Sequence, residues 1–263
     1  MPYQKRSDRR GGENFAAGAV SEGTVAGRNA FRELLASGRS IDKVFVQRGE
    51  RSGSITLLIA QALERKIPVI EADKRKLDAL SGGASHQGVV ALAAQKEYCT
   101  LDDILSVAAG RGEPPLVVIL DGVEDPHNLG AIIRSVDVFG AHGVVIPKRR
   151  ASGITAVVEK ASAGALEHMA VAKVTNIADA IVELQKKGLW IYAAESGGED
   201  YRTLDFSGAT CLVLGGEGNG ISRLVLEKCD FRVGIPNFGN VNSLNVSCAA
   251  AVMLAAVAGK RHP

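Results

Sequence analysis

From Leu116 onward the chain alternates between two kinds of pattern. LVVILD (116–121), GVVIP (143–147), LWIYAAE (189–195), CLVLGG (211–216) and FRVGIP (231–236) are short and almost continuously apolar. Such runs predict strands buried on both faces. Between them, LGAIIRSVDVFG (129–140), NIADAIVELQKKG (176–188) and ISRLVLEK (221–228) space their apolar residues as one face of a helix, and an Ala/Val/Leu run closes the chain. The alternation predicts an α/β fold, a parallel sheet covered by helices on both faces.

A weaker version of the same alternation precedes it. VAGRNAFRELLASGR carries Val25, Ala30, Leu34 and Leu35 at helical spacing and ends near a glycine. Strand-like IDKVFVQRG (41–49), helix-like SITLLIAQALERK (54–66), strand-like IPVIEA (67–72) and apolar GVVALAAQ (88–95) follow. Residues 21–95 are expected to form a small α/β domain, and 1–20, rich in Gly, Arg, Asp and Glu, a flexible tail. Residues 96–114 lose the pattern and end in Gly112, Pro114 and Pro115, reading as a linker with a short helix; 115–263 form the second domain.

Composition agrees with a folded chain: of 263 residues, 46% are hydrophobic and 23% charged. No run of about eighteen apolar residues is present, and the polar N-terminus has no secretory apolar core, so a cytoplasmic protein without a membrane contact is expected. Cys99, Cys211, Cys229 and Cys248 form no Cys-x-x-Cys pair and the histidines no His-Glu-x-x-His, so no metal is expected. Net charge is only +2, but Lys5, Arg6, Arg9 and Arg10, Lys148 to Arg150, and Lys260 with Arg261 are local basic groups. Solvated surface charge is their simplest reading.

Three segments combine glycine, amides and a few charges at strand ends, where open α/β sheets bind ligands. In the first, residues 120–147, Asn128 stands at a helix start as an N-cap would, and Arg134 lies off the apolar stripe. In the second, Gly215 and Gly220 have phosphate-loop spacing, yet Ile221 and Ser222 stand where Lys and Ser/Thr are needed, and Glu217 adds a negative charge. A Gly-x-Gly-x-x-Gly is also missing, so a phosphate ligand and a nicotinamide dehydrogenase are both disfavoured. In the third, IPNFGNVNSLNVS, the amides Asn237, Asn240, Asn242 and Asn245 crowd a helix entrance. Amides donate and accept together, which suits a heterocycle, an amino-acid moiety or a ribose.

In this order the segments resemble the three motifs of the SpoU (TrmH) class of RNA 2′-O-ribose methyltransferases, within the SPOUT superfamily. The matching residues are Asn128, Gly130, Arg134 and Phe139-Gly140; Gly215, Glu217, Gly218 and Gly220; and Ile235-Pro236, Gly239 and Ser243-Leu244-Asn245-Val246-Ser247. The likeness covers 116–258 and extends to VAGRNAFRELL, which resembles the start of the family's L30e-like RNA-binding domain. SAGALEH (162–168) and His86-Gln87-Gly88 resemble the RlmB-type subgroup, which methylates a guanosine of 23S rRNA. Asn237 departs from the family's usual Met, and AAVAGKRHP lacks its usual acidic and Arg-rich finish.

The resemblance implies a deep trefoil knot in the C-terminal domain, a homodimer, and S-adenosylmethionine bound by the backbone of Leu214, Gly215, Ile235 and Leu244, with Gly216 and Pro236 beside them. It makes Arg134 the catalytic arginine; a guanidinium stays protonated, so the chemistry fits a phosphate clamp and electrostatic stabiliser better than a base. Asn128 would position it, and Glu217, Ser243 and Asn245 would orient ribose or methionine; Glu217 is the first candidate to accept the proton, and the assignment of a base stays open. Arg28, Lys148, Arg149, Arg150 and the tail arginines become candidate RNA phosphate contacts. Methylation of tRNA instead, or a ribosome-assembly factor with an idle site, are the alternatives.

Overall fold

The computed structural model describes residues 23–49, 53–93 and 96–262, so the tail with Lys5, Arg6, Arg9 and Arg10 lies outside the described residues. The first domain is a four-stranded sheet built from β1 (Thr24–Ala26), β2 (Ile41–Gln47), β3 (Val69–Ala72) and β4 (Val89–Ala93), in the order β1-β4-β2-β3. β4 runs antiparallel to β1 and β2, and β3 parallel to β2. Helices α1 (Arg28–Ser37) and α2 (Ser54–Glu64) bury Phe31, Leu34, Ile55 and Leu58 against one sheet face, while α3 (Lys74–Ser81) covers the other with Leu77.

Two details differ from the sequence pattern. Val25, counted into a helix, belongs to β1; Gly27, at φ 106, turns the chain before α1 begins. The third helix escapes the apolar pattern because KRKLDALS buries only Leu77 and Ser81; it is set by Asp73, whose carboxylate caps Lys76 N–H at 2.8 Å.

The second domain begins with α4 (Leu101–Arg111), which a capping box between Thr100 and Asp103 starts and Gly112 ends. The 96–114 segment therefore does contain a helix, and that helix packs on the following sheet through Leu101 and Ile104. Six strands follow: β5 (Leu116–Asp121), β6 (Gly143–Pro147), β7 (Ala170–Val174), β8 (Trp190–Asp200), β9 (Thr210–Gly215) and β10 (Phe231–Gly234). Their order is β10-β8-β9-β5-β6-β7, and every neighbouring pair is parallel.

Alternate residues of β5 show why both faces are apolar. Leu116, Val118 and Leu120 meet α5 (Pro126–Val138) and α10 (Val246–Arg261), whereas Val117 and Ile119 meet α4 and α8 (Ile177–Lys186). Three short helices, α6 (Ala156–Ala161), α7 (Ala165–His168) and α9 (Arg223–Leu226), complete the cover. β7, AVAKV, is interrupted by Lys173, so its pattern does not stand out. No described helix is long and apolar enough to cross a membrane.

Arg261, one of the terminal basic residues, is not a solvated charge. Its guanidinium donates to the carbonyls of Pro114 at 2.7 Å, Pro115 at 3.1 Å and Phe206 at 3.1 Å, which fastens the end of α10 to the entrances of β5 and β9. The SAGALEH stretch follows α6, contains all of α7 and faces the first domain. Arg39 pairs there with Glu159 at 2.9 Å and Glu167 at 3.1 Å, Lys96 donates to the Glu167 carbonyl, and His168 meets Glu33 at 3.1 Å.

Candidate active site

Adjacent parallel strands β9, β5 and β6 all end at the same edge of the sheet, and the loops that follow them enclose a cleft of about 300 Å³. Asp121 to Asp125, Asn128, Gly216, Glu217, Asn219, Gly220, Ser222, Arg150 and Val246 line it. Backbone closeness holds it together. A Cβ on Gly216 would stand 1.8 Å from the Gly122 carbonyl oxygen, and one on Gly215 2.1 Å from the Gly220 carbonyl carbon, so the 216–220 turn can dock only with glycine at both places. Asp121, buried at the end of β5, accepts the Ser222 N–H at 2.8 Å and ties the far end of the turn down.

Three of the five residues singled out for catalysis meet at this cleft, Asn128 and Glu217 in its lining and Asn245 hydrogen-bonded to both. Asn128 donates to Glu217 Oε1 at 2.9 Å. Asn245 Nδ2 donates to the same oxygen at 2.8 Å and to Asn128 Oδ1 at 3.0 Å. Asn128 is not the helix cap: Asp125 fills that position by accepting the His127 N–H, Pro126 opens the helix, and Asn128, one turn in, is buried and turned toward the cleft. Asn245 is the cap of α10, its Oδ1 accepting the Ser247 N–H at 2.8 Å and the Ser247 hydroxyl at 2.6 Å. One amide thus terminates a helix with its oxygen and holds a carboxylate with its nitrogen.

Arg134 and Ser243 are exposed, do not line the cleft and make no hydrogen bond to this trio. Arg134 lies six residues beyond Asn128, which puts it roughly 120° around α5. Of the residues expected at a cofactor, Gly216 lines the cleft, Leu214 is buried inside β9, Gly215, Ile235 and Pro236 are half-buried, and Leu244 is exposed. Asn237 closes a turn, its Oδ1 accepting Gly239 N–H at 2.9 Å and its Nδ2 donating to the Val241 carbonyl. The crowd of amides therefore divides into a turn former and a cleft former.

Among the basic candidates, Arg150 alone lines the cleft; Lys148 and Arg149 are exposed beside it. Arg28 sits at the start of α1 in the first domain, where its Nε donates to the Gln87 carbonyl at 3.0 Å. Next to it, Gly88 N–H donates to His86 Nδ1, leaving the ring proton on Nε2 toward Asp78 at 3.1 Å. His142 is also structural: Nδ1 accepts Leu116 N–H at 2.9 Å and Nε2 faces Glu113, while burial pulls its pKa down. The acidic lining residues Asp121, Glu124 and Asp125 were not apparent from the motifs; an Asp ending a fully apolar strand was the available signal. Among the described residues, no three His, Cys, Asp or Glu side chains are placed to hold a metal ion.

Comparisons with known proteins bear on the family of the whole chain. Residues 115–255 match the SpoU rRNA Methylase family, and 24–99 match an RNA 2′-O ribose methyltransferase substrate-binding domain. A Bacillus subtilis protein assigned to the TrmH family of tRNA/rRNA methyltransferases is 45% identical over 240 residues, covering 91% of this chain and 96% of its own. An AdoMet-bound rRNA methyltransferase from Sinorhizobium meliloti is 26% identical, with a TM-score of 0.73 over 89% of this chain and 85% of that one. The SpoU methyltransferase AviRb from Streptomyces viridochromogenes, 24% identical, shares the fold with a TM-score of 0.75 over 90% of this chain and 89% of its own. With a glycine-docked turn, an amide-held glutamate and matches across both domains, the chain belongs to the SpoU family of RNA methyltransferases.

Proposed function

We propose that the protein uses S-adenosylmethionine to methylate a ribose 2′-oxygen of RNA, the target being a guanosine of 23S rRNA. The observation that carries this reading is the Glu217 carboxylate, fixed by two amide donors on Oε1 in an open cleft. Both donors land on Oε1, which leaves the lone pairs of Oε2 available to accept from an incoming hydroxyl. The SAGALEH and His86-Gln87-Gly88 stretches, which resemble those of the rRNA-modifying subgroup, support the ribosomal target.

The residues fit the cofactor. Gly218 and Gly220 leave open space where a Cβ would stand, and four carboxylates, Asp121, Glu124, Asp125 and Glu217, surround a volume suited to a sulfonium cation rather than to a dinucleotide's phosphates. Of the residues that the resemblance assigns to the cofactor, Gly216 lines this cleft; backbone groups of Leu214, Gly215, Ile235, Pro236 and Leu244, outside its lining, would hold the rest of the molecule. When bound, it supplies an electrophilic methyl group.

In this reading the 2′-oxygen forms the new C–O bond as the methyl–sulfur bond breaks, and its proton passes to Glu217. A hydroxyl is a weak nucleophile until an acceptor draws off that proton. Asn128 and Asn245 keep the carboxylate in line, and orientation of this kind contributes several of the roughly 7–11 kcal/mol available from proximity. Arg134 would stabilise developing negative charge once RNA is seated, and Ser243 would orient the ribose. Arg28, Lys148 and Arg149 would attract RNA phosphates.

Phe238, Val241 and Leu244 are 89%, 75% and 52% exposed on one short segment, an apolar surface that supports a homodimer joined through the 235–245 loop. The implied knot belongs to the same reading, as does a cytoplasmic site of action beside the RNA. The test is direct. Protein incubated with labelled S-adenosylmethionine and separately with 23S rRNA or tRNA should label 23S rRNA at one guanosine 2′-oxygen. Label in tRNA alone would overturn the ribosomal target, and no heat of S-adenosylmethionine binding would favour an assembly factor.

A further inference from the structure

Arg150 is the single basic residue among the described residues that line the cleft, against four carboxylates. Three of those carboxylates are engaged elsewhere: Asp121 by Ser222 N–H, Asp125 by His127 N–H, and Glu217 by the two amides. Among the described residues Arg150 makes no ion pair or hydrogen bond with any of them. Exposed at the wall of an acidic cleft and not paired with its carboxylates, the guanidinium is available to something else.

The backbone strengthens the point. Arg150 sits at φ 56, in the left-handed region where glycine is the residue of least strain. Hydrogen bonds on both sides hold the segment there: Lys148 N–H donates to the Val174 carbonyl at 2.8 Å, and Ser152 N–H to the Val123 carbonyl at 3.0 Å. An arginine kept at a position that glycine would occupy more easily points to a use for its side chain.

The chemistry of the substrate supplies that use. Every internal ribose of RNA is flanked by phosphates, so bringing a 2′-oxygen to Glu217 carries a phosphate into a cleft that is otherwise anionic. Repulsion there is barely screened over such short distances. An arginine fork matches two phosphate oxygens at once and would offset it. We propose that Arg150 is a positioning residue that grips a backbone phosphate of the nucleotide being modified, whereas Lys148 and Arg149, outside the cleft, only attract the RNA. The inference rests on the functional reading above. A carboxylate of the cofactor is the other oxyanion that could reach Arg150, and the experiment separates the two.

Full-length wild type, Arg150→Gly and Arg150→Lys are compared. Glycine removes the side chain at a φ it tolerates, and lysine returns a charge without the fork. Retention of radiolabelled 23S rRNA on filters is measured across a KCl series, S-adenosylmethionine binding by calorimetry, and methyl transfer as separate KM and kcat values for RNA. Arg150→Gly should weaken RNA binding about tenfold and make the log–log salt slope shallower by about 0.7, the share of one single-stranded phosphate. Its KM for RNA should rise more than its kcat falls, cofactor affinity should stay within about twofold, and Arg150→Lys should recover part of the loss. Unchanged RNA binding and salt slope would overturn the proposal, as would a comparable loss of cofactor affinity, which would assign Arg150 to the cofactor's carboxylate. If wild type modifies tRNA instead, the same comparison is read on tRNA; if it binds neither RNA, the functional reading fails and this proposal with it.

Discussion

Asn245 Nδ2 lies 2.8 Å from Glu217 Oε1, joining the first turn of α10 to the glycine turn after β9. Because the same side chain caps α10, helix stability and carboxylate placement share one residue. Asn245→Ala should lower stability by about 1 kcal/mol through the lost cap, and cut methyl transfer tenfold or more through the lost bond to a charged group, worth about 1.5–3 kcal/mol. Asn245→Asp keeps the capping oxygen but sets a second carboxylate against Glu217. It should retain more of the melting temperature than Asn245→Ala and no more of the activity. Calorimetric melting beside a methyl-transfer assay checks the pair; full activity in either variant would remove Asn245 from the site.

Gly216 and Gly218 are two residues apart and should respond differently to alanine. At Gly216 the new Cβ would meet the Gly122 carbonyl oxygen at 1.8 Å, so the turn must leave β5, at a cost of about 1–3 kcal/mol or more. Gly218, at φ 87, has open space around the same Cβ and should lose only about 1 kcal/mol, the strain of its backbone. Cofactor heat should vanish for Gly216→Ala and persist for Gly218→Ala.

At the joint between the domains, burial pushes the Glu159 carboxyl up to about 7, with Arg39 only partly opposing it. The folded state then holds a proton that the unfolded chain releases near its ordinary value of 4.5. Stability from this group is therefore complete below that value and falls as pH rises to about 7, by roughly 3 kcal/mol at most. Glu159→Gln should flatten this slope and raise the melting temperature at pH 8 relative to wild type. A difference between the two proteins that does not change from pH 4.5 to 7 would show that Glu159 is ionised throughout.

His142 works in the opposite direction. Burial lowers its pKa, so the unfolded chain takes up a proton that the folded one resists, and stability is lost as pH falls through the ordinary histidine range near 6.5. His142→Asn should weaken this acid sensitivity, measured as melting temperature against pH relative to wild type, while lowering stability at pH 8 through loss of the Glu113 contact.

What the sequence determined by itself follows from local physics. Continuous apolar runs such as LVVILD can be satisfied only by a sheet covered on both sides, and the sheet is parallel, with β5 shared between two apolar layers. Asn128, Glu217 and Asn245 were legible as site candidates because amides and a charge at strand ends and a helix entrance are poorly explained by folding alone. Helix α3, with only Leu77 and Ser81 buried, and strand β7, interrupted by Lys173, were not.

Tertiary structure decided which candidates meet. Glu217 lies 89 residues from Asn128 and 28 from Asn245, so no local pattern shows that all three share one oxygen. Only strand order brings the ends of β9, β5 and β6 together; it puts Asp121 and Arg150 into the cleft, leaves Arg134 and Ser243 outside it, and turns SAGALEH into a domain contact. Hydrogen bonds and buried charges depend on distances of about 3 Å, and those are set by the packing of segments far apart in the chain.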